Sequence, residues 1–395
     1  MLIDLDHAPP SPASDAAPTP RHPMWIVAVL MTLFLGGAQV PEEIRTLRPS
    51  VVADELVVSW MLDGNTFYSL HSRPAGGSME LQARTVPSSE PLWTRLFDAD
   101  GTVPQLRMAG PYLALIYGSQ TVLLDASTGK ARWRDDDYSA AMAAGDEVLL
   151  WTPEGRAGLL DPVTAKIRWR QEVAAAPIGV TTTEQHVQVL YDDGTAVAYG
   201  RAGGEVVNTV AELPVREQDT DAYGGVIDDG LPTLVAAGDL AIVFGPGQIA
   251  ALRLPTLERL WTAPVPRPVG VSRCGNRVCV LHAGGMTALD QSTGAPLWSG
   301  TDWTTWNGTL AGGPGGRIAR VDPDTGRILA DRGRGQLAGT MVIRAGSDRT
   351  AVFDQFSGAL RAIVPYALLR CDGTGDQIAC QGPGGSVMVW RIPKT

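Results

Sequence analysis

Short apolar runs, separated by turns rich in glycine and aspartate, follow one another along the chain from residue 51 to its end. Examples are GDEVLL (145–150), GDLAIV (238–243) and RVCVL (277–281). Apolar runs of this length between turn residues predict β-strands, and no helix-type spacing of apolar residues occurs after residue 50. The pattern therefore predicts an all-β chain.

One segment recurs between these strands. Its clearest copies are LLDASTGKARWR (123–134), LLDPVTAKIRWR (159–170) and ALDQSTGAPLWS (288–299), and five weaker copies accompany them. With the aspartate of the repeat taken as an anchor, the eight anchor positions are Thr85, Asp125, Asp161, Gly200, Arg253, Asp290, Asp322 and Asp354. Spacings of 32 to 53 residues between anchors, with only strand-type patterning inside them, predict the blades of a β-propeller.

Each residue type that recurs in the repeat has a structural role. Asp-x-x-Thr-Gly is a turn, in which the aspartate bonds to backbone amides and the glycine supplies a positive φ angle. A tryptophan eight residues after the anchor predicts packing between neighbouring blades, with a ring of ligand-stacking residues as the alternative. These predicted blade-packing residues are Trp93, Trp133, Trp169, Trp261 and Trp298.

The ALDxxTGxxxW pattern resembles the PQQ-like (quinoprotein alcohol dehydrogenase-like) β-propeller repeat over residues 50–392. The resemblance and the anchors together predict an eight-bladed propeller, with seven blades as the alternative. A further fragment at residues 387–392 lacks an outer strand. We expect residues 51–62 to complete that blade from the other end of the chain, because closing the ring removes a free sheet edge.

The first 50 residues differ in character from the rest. Residues 1–23 contain six prolines and predict a disordered cytoplasmic tail. Residues 24–40 (MWIVAVLMTLFLGGAQV) carry no charge and predict a single transmembrane helix, with a cleaved signal peptide as the alternative. Residues 41–50 form a linker and residues 51–393 the propeller. This organisation predicts a single-pass protein of the cell membrane with the propeller on its extracytoplasmic side.

The four cysteines fall into two pairs, CGNRVC (274–279) and CDGTGDQIAC (371–380). Both segments predict hairpins, across which two cysteines can meet disulfide distances. In an exported domain an even number of cysteines favours two local disulfides, Cys274–Cys279 and Cys371–Cys380. A single Cys₄ metal site is the alternative, although neither spacing is a CxxC knuckle.

The composition limits the classes of partner that the protein is expected to bind. A net charge of −10 argues against nucleic acid, because a phosphate backbone needs a basic face. Lysine occurs only at Lys130, Lys166 and Lys394, and heavy use of Arg, Ala and Gly is typical of GC-rich bacterial genomes such as those of actinobacteria. We expect a monomer.

No catalytic set stands out among the polar residues. The histidines share no spacing rule: His7, His22, His71, His186 and His282. An acidic stretch suits Ca²⁺ or a partner, with a solvated loop as the simpler interpretation: Glu217, Asp219, Asp221, Asp228 and Asp229. Asp135, Asp136 and Asp137 receive the same interpretation. Trp303 and Trp306 either line the axial funnel or pack beside it.

Quinone-dependent members of the resembled family carry a vicinal Cys–Cys pair and a calcium site, and this chain has no Cys–Cys pair. We therefore expect no catalytic, cofactor or metal site and no PQQ; Ca²⁺ has no identifiable ligand set. The sequence predicts a non-enzymatic, membrane-tethered binding or scaffolding module for a protein or envelope ligand. The alternative is a PQQ- or metal-dependent oxidoreductase that uses the axial pocket.

Overall fold

Four antiparallel strands, joined by hairpins, make up each structural repeat. A computed structural model describes residues 47–53, 57–73, 77–98, 104–117, 120–135, 138, 140–152, 154–215 and 234–393. They belong to one compact unit, residues 45–395. Within the described residues the strands form nine separate four-stranded sheets, which we call blades 1 to 9 in chain order.

The first strand, β1 (Val51–Ala53), belongs to blade 9, and the next four form blade 1. Blade 1 contains β2 (Val57–Asp63), β3 (Thr66–Ser72), β4 (Ser78–Thr85) and β5 (Pro91–Asp98). Blade 2 contains β6 (Gln105–Ala109), β7 (Tyr112–Tyr117), β8 (Gln120–Asp125) and β9 (Ala131–Asp135). Blade 3 contains β10 (Ala140–Ala144), β11 (Glu147–Thr152), β12 (Arg156–Asp161) and β13 (Lys166–Glu172).

The middle of the chain continues this order. Blade 4 contains β14 (Pro177–Thr182), β15 (His186–Tyr191), β16 (Ala196–Gly200) and β17 (Val206–Val210). Blade 5 contains β18 (Leu234–Ala237), β19 (Leu240–Gly245), β20 (Gln248–Arg253) and β21 (Glu258–Pro264). Blade 6 contains β22 (Pro268–Cys274), β23 (Arg277–His282), β24 (Gly285–Asp290) and β25 (Pro296–Gly300).

The last three blades complete the ring. Blade 7 contains β26 (Thr305–Trp306), β27 (Leu310–Gly312), β28 (Arg317–Val321) and β29 (Ile328–Arg334), with a short 3₁₀ turn at Pro314–Gly316. Blade 8 contains β30 (Gln336–Ala338), β31 (Met341–Ala345), β32 (Thr350–Asp354) and β33 (Leu360–Val364). Blade 9 contains β34 (Arg370–Thr374), β35 (Gln377–Gln381) and β36 (Val387–Arg391), with a 3₁₀ turn at Pro383–Gly385.

The ring closes through a blade shared between the two ends of the described chain. Strand β1 pairs antiparallel with β36, with Val51 opposite Val389 and Ala53 opposite Val387. The innermost strands of blades 9 and 1, β34 and β2, are in contact. At the same seam Gln377 Nε2 donates to Asn65 Oδ1 at 2.6 Å. The predicted closure by the start of the propeller is therefore confirmed, with residues 51–53 as the strand that supplies it.

The prediction of eight blades, or seven, was wrong, because the structure has nine. The eight anchors end or directly follow the third strands of blades 1 to 8, and Arg391 ends the third strand of a ninth. The shared blade therefore comes in addition to the eight complete repeats. Residues 57–62, which we expected in the closing strand, instead belong to β2 (Val57–Asp63) of blade 1. Blade 9 has no DxxTG turn, because its outer strand is β1 rather than a strand that follows Arg391.

The predicted N-terminal transmembrane helix is not part of the described fold. Residues 24–40 lie outside the described residues, and within those residues no helix has the length and apolar character to cross a membrane.

The core lies between the blades rather than inside any one of them. One buried cluster joins Leu113 of blade 2 to Leu81 of blade 1, and another joins Ile242 of blade 5 to Val280 of blade 6. Apolar side chains on the two faces of each blade thus pack against both neighbours, as the layered packing of sheets requires. Burial of these faces leaves the turns and the outer strands exposed to solvent.

Candidate functional site

The DxxTG turns have the bonding that their sequence predicts. Asp290 Oδ1 accepts from the amides of Ser292 and Thr293 at 3.0 and 2.9 Å and from their hydroxyls at 2.6 and 2.9 Å. These bonds, of which the Ser292 hydroxyl contributes most, lower the pKa of Asp290 to about 2. Ser127 and Thr128 do the same for Asp125, whose pKa also falls to about 2. The bonds of these aspartates stabilise the turns.

Four of the five repeat tryptophans lie beside the glycine of the next blade's turn, and three of them also donate a hydrogen bond to that turn. Trp93, Trp261 and Trp298 donate from Nε1 to the next turn at 2.9 Å, to the carbonyls of residues 126, 291 and 323. Trp169 covers Gly204 without such a hydrogen bond, and the ring centre of Trp133 lies 6.3 Å from that of Tyr138. The side chains lie at blade interfaces, where they contact protein.

At two other interfaces, a side chain other than tryptophan contacts the turn of the next blade. In blade 4 the residue eight after the anchor is Asn208, whose Nδ2 donates to the carbonyl of Thr256 at 2.5 Å. In blade 7 that position is Ala330, and Arg332 instead reaches the carbonyls of Phe356 and Ser357 in blade 8. The repeat pattern did not predict the interface contacts of Asn208 and Arg332. The absence of a tryptophan eight residues after the anchor in blades 4 and 7 is the signal that could have identified them.

The interface between blades 3 and 4 contains a buried carboxylate. The Glu147 side chain is only 3% exposed, and Arg201 Nε donates to its Oε2 at 2.7 Å. Arg168 Nε lies 2.7 Å from Oε1, and Arg168 also pairs with Asp161 at 3.0 Å. Arg201 pairs in addition with Asp146, and its bonds to Glu147 raise the pKa of the Arg201 guanidinium. Two arginines thus meet three carboxylates, and each of these charges has a partner of opposite sign within the protein.

A mostly apolar cleft of about 310 Å³ lies between blades 5 and 6, lined by residues 263–266 of blade 5 and its linker and by His282, Thr287, Leu289, Gly294 and Pro296. The amide of Gly284 donates to His282 Nδ1 at 3.1 Å, so Nε2 carries the proton and donates to Thr287 Oγ1 at 2.9 Å. Thr287 Oγ1 is 2.9 Å from Ser299 Oγ. Burial lowers the pKa of His282. Because Nε2 is the donor, His282 cannot accept a proton from Thr287, and the chain of bonds orients hydroxyls without activating a nucleophile.

The cysteines form two disulfides, as predicted: Cys274–Cys279 and Cys371–Cys380. The first lies in the inner hairpin of blade 6 and the second in the inner hairpin of blade 9, with Cα–Cα distances of 5.8 and 4.0 Å. The four sulfurs therefore do not form one Cys₄ site. In the part of the chain that the structure describes, no three His, Cys, Asp or Glu side chains lie together in a way that could hold a metal ion.

The remaining predicted candidates lie apart from one another. His71 is buried with its Nε2 2.8 Å from Ser69 Oγ in blade 1, and His186 begins β15 in blade 4. Trp303 is buried and Trp306 packs against the same cluster, beside Cys274 and Cys279. His7, His22, Asp136, Asp137 and the acidic residues Glu217, Asp219, Asp221, Asp228 and Asp229 lie outside the described residues, as does the side chain of Asp135.

Large apolar side chains that face solvent concentrate on the outer strands. Of the exposed large apolar side chains in the described residues, eight lie there: Val52, Leu92, Leu96, Val206, Val207, Leu297, Ile328 and Leu329. Leu96 and Val206 are 58% and 57% exposed. The outer strands therefore offer apolar surface around the circumference of the ring, and we call this surface the outer edge.

Comparison with known proteins supports a propeller of the resembled type. Residues 118–302 match the family described as outer membrane protein assembly factor BamB. No curated protein matches the chain.

Three solved structures illustrate the similarity. BamB from Moraxella catarrhalis is 17% identical, with 88% of this chain and 99% of that chain covered at a TM-score of 0.50. The computationally designed protein Ika8 is 13% identical, with 89% and 100% covered at 0.49. The C-terminal WD40 domain of Sif2 is 11% identical, with 89% and 100% covered at 0.47.

At these identities the structural likeness concerns the fold alone. The described residues form a β-propeller of nine blades, and residues 118–302 are similar to the PQQ-like repeats of the assembly factor BamB family.

Proposed function

We propose that this protein is an extracytoplasmic binding module that holds a partner protein against the outer edge of its ring. The observation that carries the proposal is the concentration of exposed apolar side chains on the outer strands, among them Leu96, Val207 and Leu329. Exposed apolar surface that recurs on several blades is costly in water and is typical of surfaces that meet another protein.

The repeat similarity points in the same direction. The matching family is described as an assembly factor, a role that consists of contacts with other proteins. The tryptophans and aspartates that define the repeat are occupied by contacts between blades and within turns, so the repeat itself leaves the outer edge as the surface free for a partner.

The disulfides support an oxidising location. Two disulfides persist readily outside the cytoplasm and are rare within it. We therefore propose that the ring works at the cell membrane on its extracytoplasmic side, and that the apolar residues 24–40 attach it there or direct its export. Because β1 closes the ring within one chain, we propose that it acts as a monomer.

Site-specific photo-crosslinking in the envelope tests the partner proposal. A photoreactive side chain placed in turn at residues 96, 207 and 329 is expected to give the same discrete protein adducts in repeated preparations. Val163 is a matched control, because it is 74% exposed and apolar but lies in a hairpin turn. No adduct from the outer strands, or equal adducts from residue 163, would contradict the proposal.

Alkylation of thiols in intact cells tests the location. An exported ring carries both disulfides and leaves no cysteine to alkylate before reduction. Four alkylated cysteines would place the protein in the cytoplasm and overturn that part of the proposal.

A further inference from the structure

Three arginines lie on the strands that form the interface between blades 7 and 8. Arg320 of β28 is the cross-strand neighbour of Ala330 in β29, and Arg332 lies two residues beyond Ala330 on the same face of the strand. From blade 8, Arg344 donates to the carbonyl of Arg332, and its guanidinium lies 4.1 Å from the centre of the Phe353 ring. We call the interface surface formed by Arg320, Arg332, Arg344 and Phe353 the 7/8 crevice.

This interface lacks its tryptophan, and Arg332 instead lies beside Gly358 in the turn of blade 8. Ala330 stands eight residues after the anchor Asp322, where Trp298 of blade 6 covers the next turn. The apolar core beneath it contains only three buried residues, Leu310, Ile318 and Val342, among the described residues. Arg320 is exposed at a position where blade 6 has the buried Ala288. The charge of Arg320 therefore faces solvent at a position that is closed in blade 6.

The charges in this crevice are not balanced within the described part of the chain. None of its three arginines lies within ion-pair distance of a described carboxylate, and the buried Nε atoms of Arg332 and Arg344 have no hydrogen-bond acceptor there. The interface between blades 3 and 4, by contrast, supplies Glu147, Asp146 and Asp161 to its two arginines. Guanidinium groups on facing surfaces repel each other unless an anion lies between them.

We propose that the 7/8 crevice binds carboxylate groups on an acidic, partly apolar segment of a partner protein. The exposed guanidinium of Arg320 can bind a carboxylate with two parallel hydrogen bonds, and the positive charges of Arg332 and Arg344 add to the attraction. Exposed apolar side chains flank the crevice: Ile328 and Leu329 on β29, and Phe356, whose carbonyl accepts from Arg332. A free phosphate would use the arginines alone, whereas an acidic, partly apolar segment would also contact the apolar side chains. The proposal rests on the proposed binding function and names the chemistry of its partner.

A defined peptide tests this proposal. The probe is a fluorescent peptide of alternating glutamate and leucine, with a second peptide that carries glutamine in place of glutamate. We expect the full-length protein to bind the acidic peptide, to lose affinity as salt is added, and to bind the glutamine peptide at least about tenfold more weakly. Arg320→Glu is expected to weaken acidic-peptide binding by at least about tenfold, and Arg320→Gln by less.

Arg334→Glu is the matched control. Arg334 is exposed on the same strand, but a bulge places it opposite Arg317, on the face that carries Asp331. Its substitution should change the affinity for the acidic peptide by less than about twofold, because the residue lies outside the crevice. An unchanged melting temperature shows that each variant folds.

Several results would overturn the proposal. They are no binding of the acidic peptide, equal binding of the glutamine peptide, or equal effects of the two charge reversals. Arg320-dependent binding of phosphatidylglycerol vesicles or inorganic phosphate, without peptide binding, would assign the crevice to those anions instead. If outer-strand adducts form in the envelope and persist in Arg320→Glu, the binding function stands and the crevice proposal fails.

Discussion

Trp298 in blade 6 reaches across to Gly326 in blade 7, and a Cβ built on that glycine would lie 2.6 Å from the indole ring. The same indole donates to the carbonyl of Pro323 in the same turn. Gly326 also has a φ of 71°, which side chains other than glycine adopt at a cost. The turn residue and the tryptophan of the preceding blade are therefore matched parts of one contact.

Gly326→Ala should destabilise the ring by about 2–4 kcal/mol, because it combines a strained φ with a clash against Trp298. Gly247→Ala is the control, since Gly247 has a φ of 78° but nothing within 4 Å of its added Cβ. The positive φ at this position alone should lower the free energy of unfolding of that variant by about 1 kcal/mol. Denaturant unfolding measures both, and equal losses would show that the tryptophan contact contributes nothing.

The buried carboxylate at the interface of blades 3 and 4 offers a second test. Glu147→Gln should destabilise by about 1–3 kcal/mol, because two guanidinium groups lose a charged partner while solvent still screens the half-exposed Arg168. Asp146→Asn, at a side chain that is 75% exposed, should change the free energy of unfolding by less than about 0.5 kcal/mol. A loss at Asp146 as large as that at Glu147 would contradict this assignment.

Because blade 9 is shared between the two ends of the described chain, a residue at the start of the propeller should stabilise its last blade. Val51 is 1% exposed and Val52 is 39% exposed on the same short strand. Val51→Ala should cost about 2 kcal/mol through lost burial, whereas Val52→Ala should cost less than about 0.5 kcal/mol. Thermal unfolding of the two variants separates these outcomes, and equal costs would mean that β1 does not pack at the seam.

The two disulfides predict a redox-dependent stability. Each closes a short loop, with sequence separations of 5 and 9 residues, so each should contribute about 2 kcal/mol. Cys274→Ser with Cys279→Ser, and the corresponding pair in blade 9, should each lower the denaturant midpoint and should remove its dependence on reductant at that hairpin. If reductant does not change the denaturant midpoint of the unsubstituted protein, the result would argue against both disulfides.

The turn aspartates predict how stability falls in acid. The pKa values of Asp125 and Asp290 lie at about 2 in the folded protein, below the ordinary value of 3.8. Their ionised forms therefore stabilise the fold above about pH 3.8, and this contribution is lost as pH falls toward about 2. The double variant Asp125→Asn with Asp290→Asn should have lower stability at neutral pH and a shallower decline between pH 4 and 2. Parallel declines in the two proteins would refute this explanation.

Sequence patterns predicted the local units well, because each depends on neighbours in the chain. The anchor turns, the third strands and both hairpin disulfides follow from residues a few positions apart. The blade count failed at residues 387–392, where the repeat has no DxxTG turn because its last strand comes from β1. A contact between the two ends of a propeller leaves no local pattern that distinguishes a completed eighth blade from a ninth.

The candidate binding surfaces were harder to predict, for a related reason. Ala330 and Arg320 depart from the repeat, and a weak copy of a repeat does not show which side chain replaces the missing tryptophan. Only the pairing of β28 with β29 and the approach of Arg344 from blade 8 bring three arginines together. The exposed apolar residues of the outer edge likewise become a surface only when the blades are arranged in a ring.

An experimental density map of the isolated ring, by crystallography or electron microscopy, tests the nine-bladed closure most directly. The account predicts nine radial blades, with residues 51–53 as the outermost strand of the last blade beside residues 387–391. A ring of eight blades, or a last blade without residues 51–53, would contradict it.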